Sequence, residues 1–208
     1  MKQYLTYSSE TYLLKVAELA ELPKAEEYSE NGAVTLLLSG KRGVKDFLLT
    51  GAEILQKLKQ QNEEFCEVKI AYYSYNQFIG FLLQLFKPIK RKHINVGAGI
   101  YKTKLSHLIA HHLPRGIRTR ANAYCLKNKK WQIPAEERIK KYNDLFASLQ
   151  NGYNFAHPLF VGLNRQIGFK DKLVDGHHRI GICQELNIDE ISISFWTYPP
   201  SFLKFFTR

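Results

Sequence analysis

Apolar positions along the first third of the chain change their spacing several times, and each spacing predicts an element. Residues 34–38 form a short apolar run between two glycines, and residues 66–73 alternate between apolar and polar, so both segments predict strands. Apolar residues recur at helical spacing in three further segments, which are residues 10–22, 44–60 and 77–86. Alternating strands and helices predict a small α/β layer.

The second half continues the pattern. Residues 105–113 and 135–151 carry apolar stripes at helical spacing, and Pro134 stands at the start of the longer stripe, where proline is favoured. Residues 123–133 predict a short hairpin, and residues 159–163 predict an apolar strand. No internal repeat is evident in the sequence.

One segment near the C-terminus carries the most informative pattern. Leu173 and Val174 end an apolar strand, and Gly176 interrupts it. A helix is predicted from His177 onwards, because apolar residues then recur every third position, at Ile180, Cys183 and Leu186. Residues 188–196 alternate again and predict a half-buried strand. The predicted unit is therefore strand, glycine turn, helix, strand.

The first turn of that helix is a candidate phosphate site. A helix start presents unpaired backbone N–H groups and the positive end of the helix dipole. His177, His178 and Arg179 add nitrogen donors to this turn, and Gly176 allows close backbone approach, so the segment predicts anion binding. The alternative is that Asp175 caps the helix while both histidines face solvent.

Residues 175–193 resemble the ParB/sulfiredoxin superfamily. Their first five residues, Asp-Gly-His-His-Arg, are most similar to the form of this segment in ParB-like small-molecule kinases such as free serine kinase. The resemblance extends back through the predicted helix at 135–151, so it covers roughly the last 75 residues. It implies a nucleotide site. His177 stands where sulfiredoxins carry a nucleophilic cysteine, which argues against their repair chemistry. The second phosphate motif and helix-turn-helix of partitioning ParB proteins are not found.

The resemblance to these kinases implies ATP or ADP with Mg²⁺, and transfer of a phosphoryl group to a hydroxyl of a small molecule, neutral or already anionic, such as an amino acid or sugar. Such transfer also needs a carboxylate that orients or deprotonates the acceptor. Glu136 and Glu137 are candidates, because the family's catalytic glutamate also lies upstream of the turn. Asp175 is the other candidate, as a base or as a magnesium ligand through water. Alternatively, Glu136 and Glu137 simply favour the start of their helix.

Positive charge is concentrated in one part of the chain. Residues 87–141 hold 15 of the 30 Lys and Arg residues but 2 of the 19 Asp and Glu residues, a net charge of +13. Arg115, Arg118 and Arg120 lie within it and are candidates for binding an anionic substrate or nucleic acid. This charge favours the alternative function, a nucleic-acid-associated module that would be either a nuclease or, as the family resemblance implies, a ParB-like CTP-binding protein.

These patterns predict an α/β protein with two parts. Residues 1–94 would form an α/β extension that helps to bind the acceptor, and residues 95–208 a ParB/sulfiredoxin-like nucleotide domain. Three scattered cysteines show no disulfide or metal spacing, and His107 and His111 lack a third ligand, so no metal site is predicted. The apolar runs are too short to span a bilayer, and a reduced, cytoplasmic protein is expected.

Overall fold

The computed structural model describes residues 4–29, 32–40, 44–74, 95–96, 99–112, 134–163 and 171–197. This part of the chain forms two small mixed sheets with helices packed on them, which confirms the α/β class. The strands are β1 Tyr4–Lys15, β2 Lys24–Ser29, β3 Thr35–Leu37, β4 Phe47–Thr50, β5 Phe65–Ser74, β6 Asn95–Val96, β7 Tyr101–Lys104, β8 Leu159–Gly162, β9 Lys172–Asp175 and β10 Glu190–Thr197. The helices are α1 Val16–Ala20, α2 Ala52–Gln60, α3 Leu105–His112, α4 Ala135–Gln150 and α5 His177–Glu185.

The two sheets have the same strand order. The first sheet runs β1-β5-β3-β4-β2, and the second runs β10-β8-β9, with β6 and β7 both pairing with the outer edge of β10. Strand β3 is antiparallel to β4 and parallel to β5, just as β8 is antiparallel to β9 and parallel to β10. Strand β1 therefore corresponds to β6 and β7 together, and β2 has no counterpart among the described strands.

This correspondence is an internal repeat, and it holds residue by residue. Gly176 follows Gly51 by 125 positions, and the same shift converts the β3–β5 register of Thr35 with Lys69 into the β8–β10 register of Phe160 with Ser194. We call residues 4–74 the first repeat and residues 95–197 the second repeat. The expectation of no internal repeat is wrong.

Backbone hydrogen bonds repeat with the same shift. After α2, Glu63 N–H donates to the Leu58 carbonyl, and after α5, Ile188 N–H donates to the Cys183 carbonyl. Both helices end on an asparagine with positive φ, 57° at Asn62 and 55° at Asn187. These two ends are Schellman-type stops, in which asparagine can take the left-handed conformation.

Few side chains are identical between the repeats, which explains why the sequence pattern does not reveal them. Identical pairs in the aligned strands and the second helix are Leu38 and Leu163, Asp46 and Asp171, Leu48 and Leu173, Gly51 and Gly176, and Asn62 and Asn187. Most other positions conserve only an apolar or polar character. A sheet tolerates such exchanges because burial and register constrain it more than side-chain identity does.

The repeats are joined by two equivalent buried hydrogen bonds. The Tyr12 hydroxyl of the first repeat donates to Asp171 Oδ2 of the second at 2.5 Å, and the Tyr101 hydroxyl of the second donates to Asp46 Oδ2 of the first at 2.7 Å. All four residues are buried. The Phe195 ring lies beside both tyrosines, with centroids 4.9 Å from Tyr12 and 6.2 Å from Tyr101.

One hydrophobic core spans both repeats. Fully buried residues from the first repeat, such as Leu36 and Ile70, belong to the same cluster as Ile180 and Phe195 from the second. Polar contacts at its edge also cross between repeats, since Thr103 Oγ1 donates to the Leu13 carbonyl at 2.5 Å. The predicted division between residues 94 and 95 lies between the two repeats.

Two predicted elements in the first repeat are wrong, and one strand is missed. The predicted helix at 10–22 is mostly strand β1, where Tyr12 and Leu14 are buried at the two-residue spacing of a strand, and only five residues form α1. The predicted helix at 44–60 begins as β4 and becomes helical only after Gly51. Strand β2, at Lys24–Ser29, is an element that the sequence pattern does not predict. The predicted helix at 77–86 and hairpin at 123–133 lie outside the described residues.

We expect Tyr12→Phe and Tyr101→Phe each to lower the free energy of unfolding by about 1–3 kcal/mol, because each removes a donor from a buried carboxylate. Urea denaturation followed by circular dichroism measures the loss. The matched control is Tyr7→Phe, whose side chain is 42% exposed and which we expect to change stability by less than about 0.5 kcal/mol. Equal stability of all three variants would show that the buried bonds contribute nothing.

Alkaline pH should also weaken the contact between the repeats. Burial, followed by the adjacent carboxylates of Asp171 and Asp46, raises the pKa of Tyr12 and Tyr101 in the folded protein. Because an unfolded tyrosine ionises near pH 10, this stabilisation is complete below about pH 10 and is lost as pH rises further. The urea midpoint should fall as pH rises from about 10 to 12, and it should fall less steeply in the Tyr12→Phe/Tyr101→Phe double variant. A wild-type slope in that variant would contradict this origin.

Candidate functional site

The turn between β9 and α5 places the predicted phosphate-binding residues. Gly176 is the helix N-cap with φ of 102°, and a Cβ at this position would overlap with Leu159 Cδ2. Gly51 takes the equivalent place before α2 with φ of 87°, and its Cβ would lie 2.7 Å from Val34 Cα. Since both turns need glycine, the fold itself requires Gly176, whatever the turn binds.

The first turn of α5 opens into a cavity. His177, His178 and Arg179 are the first three residues of the helix and are half-buried, and the first helical bond runs from Ile180 N–H to the Gly176 carbonyl. The cavity has a volume of about 290 Å³ and is lined by Leu145, Val174, Asp175, Gly176, His177, His178 and Arg179. The structure thus brings together five of the predicted site residues, those from 175 to 179.

Arg179 also holds the loop that precedes β8. Its guanidinium Nη1 donates a hydrogen bond to the backbone carbonyl of His157. That loop is shaped by Asn154, whose side-chain oxygen accepts the Ala156 N–H at 3.0 Å. A guanidinium has five N–H donors, so one bond to a carbonyl leaves donors that can bind an anion in the cavity.

His178 is packed against α4. The ring of Tyr142 meets the ring of His178 edge to face, with centroids 5.6 Å apart and planes at 84°. The Tyr142 hydroxyl donates to Glu185 Oε1 at 3.4 Å, further along α5. Tyr142 is buried, so α4 orients the imidazole of His178 through a fixed aromatic contact. The sequence marks Tyr142 only as an apolar position of a helical stripe.

Asp175 is at the edge of the cavity. Its side chain is exposed, and its Oδ1 accepts the backbone N–H of Gly176 at 2.9 Å. The alternative prediction, in which Asp175 caps the helix and the histidines face solvent, is wrong. The N-cap is Gly176, which has no side chain, and His177 and His178 are half-buried.

Glu136 and Glu137 lie in the first turn of α4, and both are exposed. Glu137 forms an ion pair with Lys141 at 2.7 Å, one helical turn away. Leu145, the residue of α4 that lines the cavity, follows Glu137 by eight positions, which is about 12 Å along a helix. The structure therefore places neither glutamate in the cavity lining.

Other candidate groups are inert or lie outside the described residues. Burial raises the pKa of Cys66 and of Cys183 to about 11, so both thiols are protonated at neutral pH and unsuited to nucleophilic attack. Arg115, Arg118 and Arg120 lie outside the described residues. Within the described ranges, no group of three or more His, Cys, Asp or Glu residues could hold a metal ion.

The first repeat provides an internal comparison for the site. In place of His177, His178 and Arg179 it carries Ala52, Glu53 and Ile54, one after another. The glycine, the strand before it and the helix after it are shared, so these features belong to the fold. The nitrogen-rich side chains belong to the second repeat alone. The contacts of His178 with Tyr142 and of Arg179 with His157 carry no signal in the sequence.

No family model, curated protein or solved structure matches the chain. The resemblance to the ParB/sulfiredoxin superfamily therefore stays a prediction based on its motif. In the part of the chain that the structure describes, no helix has the length and apolar character needed to cross a bilayer.

Alanine substitutions at three glycines should separate the cost of backbone strain from the cost of steric overlap of the added Cβ atom. All three have positive φ, which costs an alanine about 1–2 kcal/mol. We expect Gly152→Ala to lose only this amount, because nothing lies within 4 Å of its Cβ position. Gly176→Ala should lose more, since the Leu159 side chain must move, and Gly51→Ala most, since Val34 Cα is backbone. Urea denaturation tests this order, and an equal loss at all three positions would contradict it.

Proposed function

We propose that the protein is a nucleotide-dependent phosphotransferase that holds nucleotide phosphates at the start of α5 and phosphorylates a hydroxyl of a small molecule. One observation carries the proposal. Two turns of the same geometry occur in the chain, and the one with His177, His178 and Arg179 opens into a cavity. The resemblance of residues 175–179 to ParB-like kinases supports the same function.

The chemistry of the turn suits a polyphosphate. The helix start supplies backbone N–H groups and partial positive charge, and Arg179 supplies a planar guanidinium that can donate two parallel bonds to phosphate oxygens. Two imidazoles add further donors. Contacts to His157 and Tyr142 already hold Arg179 and His178 in place, so these side chains would lose less conformational freedom on binding a phosphate.

The cavity has room for part of a nucleotide. A volume of about 290 Å³ is just below the usual range of roughly 300–1,000 Å³ for small-molecule sites. Leu145 and Val174 provide apolar walls beside the charged turn. ATP or ADP is the proposed cofactor, with its phosphates in this cavity.

Asp175 is the proposed catalytic carboxylate, because it lines the cavity, whereas Glu136 and Glu137 are remote from its lining. The bond from Gly176 N–H orients the Asp175 carboxylate at the cavity, and a carboxylate can act as the base that accepts the proton of a substrate hydroxyl. One carboxylate together with phosphate oxygens is also a usual ligand set for Mg²⁺, so Asp175 fits a magnesium nucleotide. Bound magnesium would neutralise charge that develops on the transferred group.

The alternative, a nucleic-acid-associated module, rests on the net charge of residues 87–141. Part of that charge is engaged within the protein. Lys102 lies 3.6 Å from Glu190, Lys104 lies over the ring of Phe65, and Lys141 pairs with Glu137. Glu137 is already counted in the net charge, and the Phe65 ring carries no charge, so of these three contacts only that of Lys102 with Glu190 lowers the charge of the segment. We favour phosphoryl transfer because of the cavity at the start of α5.

We expect Arg179→Ala to weaken the binding of magnesium ADP by about 10- to 100-fold, the effect of losing a charged hydrogen bond worth roughly 1.5–3 kcal/mol. Isothermal titration calorimetry measures the affinity. The affinity of Arg179→Lys for magnesium ADP should lie between those of the wild type and Arg179→Ala, because lysine keeps the charge but not the planar donor pair. The matched control is Ile54→Ala at the equivalent exposed position of the first repeat, which should leave affinity unchanged.

The same series distinguishes binding from catalysis. Asp175→Asn should abolish transfer of phosphate to the acceptor and weaken the binding of magnesium ADP less than Arg179→Ala does, whereas Glu136→Gln and Glu137→Gln should retain both binding and transfer. A screen of hydroxyl compounds with labelled ATP identifies the acceptor. Unchanged ADP affinity in folded Arg179→Ala protein would rule out the proposed phosphate site.

A further inference from the structure

The first repeat shows what happens to an equivalent turn that lacks the nitrogen-rich side chains. The N–H of Ala52, the first residue of α2, donates to the hydroxyl of Tyr28 at 3.2 Å. Tyr28 belongs to β2, which pairs in parallel with β4 and so runs beside the strand that leads into the turn. A protein oxygen thus occupies the start of α2.

The second repeat is built differently at the same place. Among the described strands β9 pairs with β8 alone, whereas its counterpart β4 pairs with both β3 and β2. Helix α4 lies against α5 through Tyr142, as α1 lies against α2 in the first repeat, and the cavity opens between Leu145 and the turn. Because no described strand stands beside β9 where β2 stands beside β4, the start of α5 borders a cavity within the described part of the chain.

From these differences we infer that the chain is a fused pseudo-dimer in which only the turn before α5 binds a nucleotide. The hydroxyl of Tyr28 blocks the equivalent turn before α2. This inference rests on the proposed function. The Tyr28 hydroxyl takes, at the N–H of Ala52, the place that a phosphate oxygen takes at the equivalent N–H of His177. The protein therefore binds one nucleotide per chain, in the second repeat.

The side chains at the turn before α2 also disfavour phosphate binding there. Glu53 stands where the second repeat has His178, and its carboxylate would repel a phosphate at the helix start. Ile54 stands where the second repeat has Arg179, and it is 40% exposed, so an arginine there would meet no packing constraint. The ring of Tyr28 lies under Lys24 Nζ at 4.4 Å, a contact that phenylalanine would keep.

The test introduces the side chains of residues 177–179 at the equivalent positions 52–54, in a chain that keeps both repeats. One variant carries Ala52→His, Glu53→His and Ile54→Arg, and a second adds Tyr28→Phe. Equilibrium dialysis with magnesium ADP counts nucleotides per chain, and circular dichroism checks the fold. We expect one ADP for the wild type, one for the triple variant and two for the quadruple variant. One ADP in a folded quadruple variant, or two in the wild type, overturns the inference.

A measurement on the wild type keeps the inference testable if the grafted protein does not fold. In ¹⁵N-labelled protein titrated with magnesium ADP, the amide resonance of His177 should shift and that of Ala52 should not. Equal shifts of both amides would overturn the inference while leaving the proposed function intact. No binding of ADP to the wild type would overturn the proposed function, and the inference with it.

Discussion

Two buried tyrosine–carboxylate hydrogen bonds determine how this chain is assembled. Tyr12 reaches from the first repeat to Asp171, and Tyr101 reaches back from the second repeat to Asp46. Burial of a carboxylate is costly unless its oxygens accept hydrogen bonds, and in each pair the tyrosine of one repeat supplies a bond to the aspartate of the other. Phe195 packs beside both tyrosines and ties these polar contacts to the shared core. The repeats are therefore held in one relative position.

Each repeat contributes a turn of the same geometry, but only the turn before α5 carries nitrogen-rich side chains. Gly51 and Gly176 satisfy the same steric demand, and Asn62 and Asn187 end the helices in the same way. Specialisation then arises from what surrounds each turn. In the first repeat β2 brings a hydroxyl to the helix start, and in the second α4 orients an imidazole and leaves a cavity.

Where sequence patterns failed, two periodicities competed in a short segment. Around Tyr12 the apolar residues fit a helical stripe and a strand alternation equally well, and pairing with β5 favours the strand. The helix predicted at 44–60 fails at Gly51, because a glycine within an apolar stripe can be tolerated in a helix or can end a strand. The repeat itself escaped detection because its identical residues are few and widely spaced.

The sequence alone determined the strand–glycine–helix–strand unit at the C-terminus, since a glycine between two unlike periodicities and a nitrogen-rich helix start are local features. Residues 175–179 do meet in one cavity. Only the tertiary structure decided that Gly176 is a requirement of the fold, that Glu136 and Glu137 lie away from the cavity, and that Tyr142 and His157 support the turn. These facts depend on contacts between residues distant in sequence, which local pattern cannot encode.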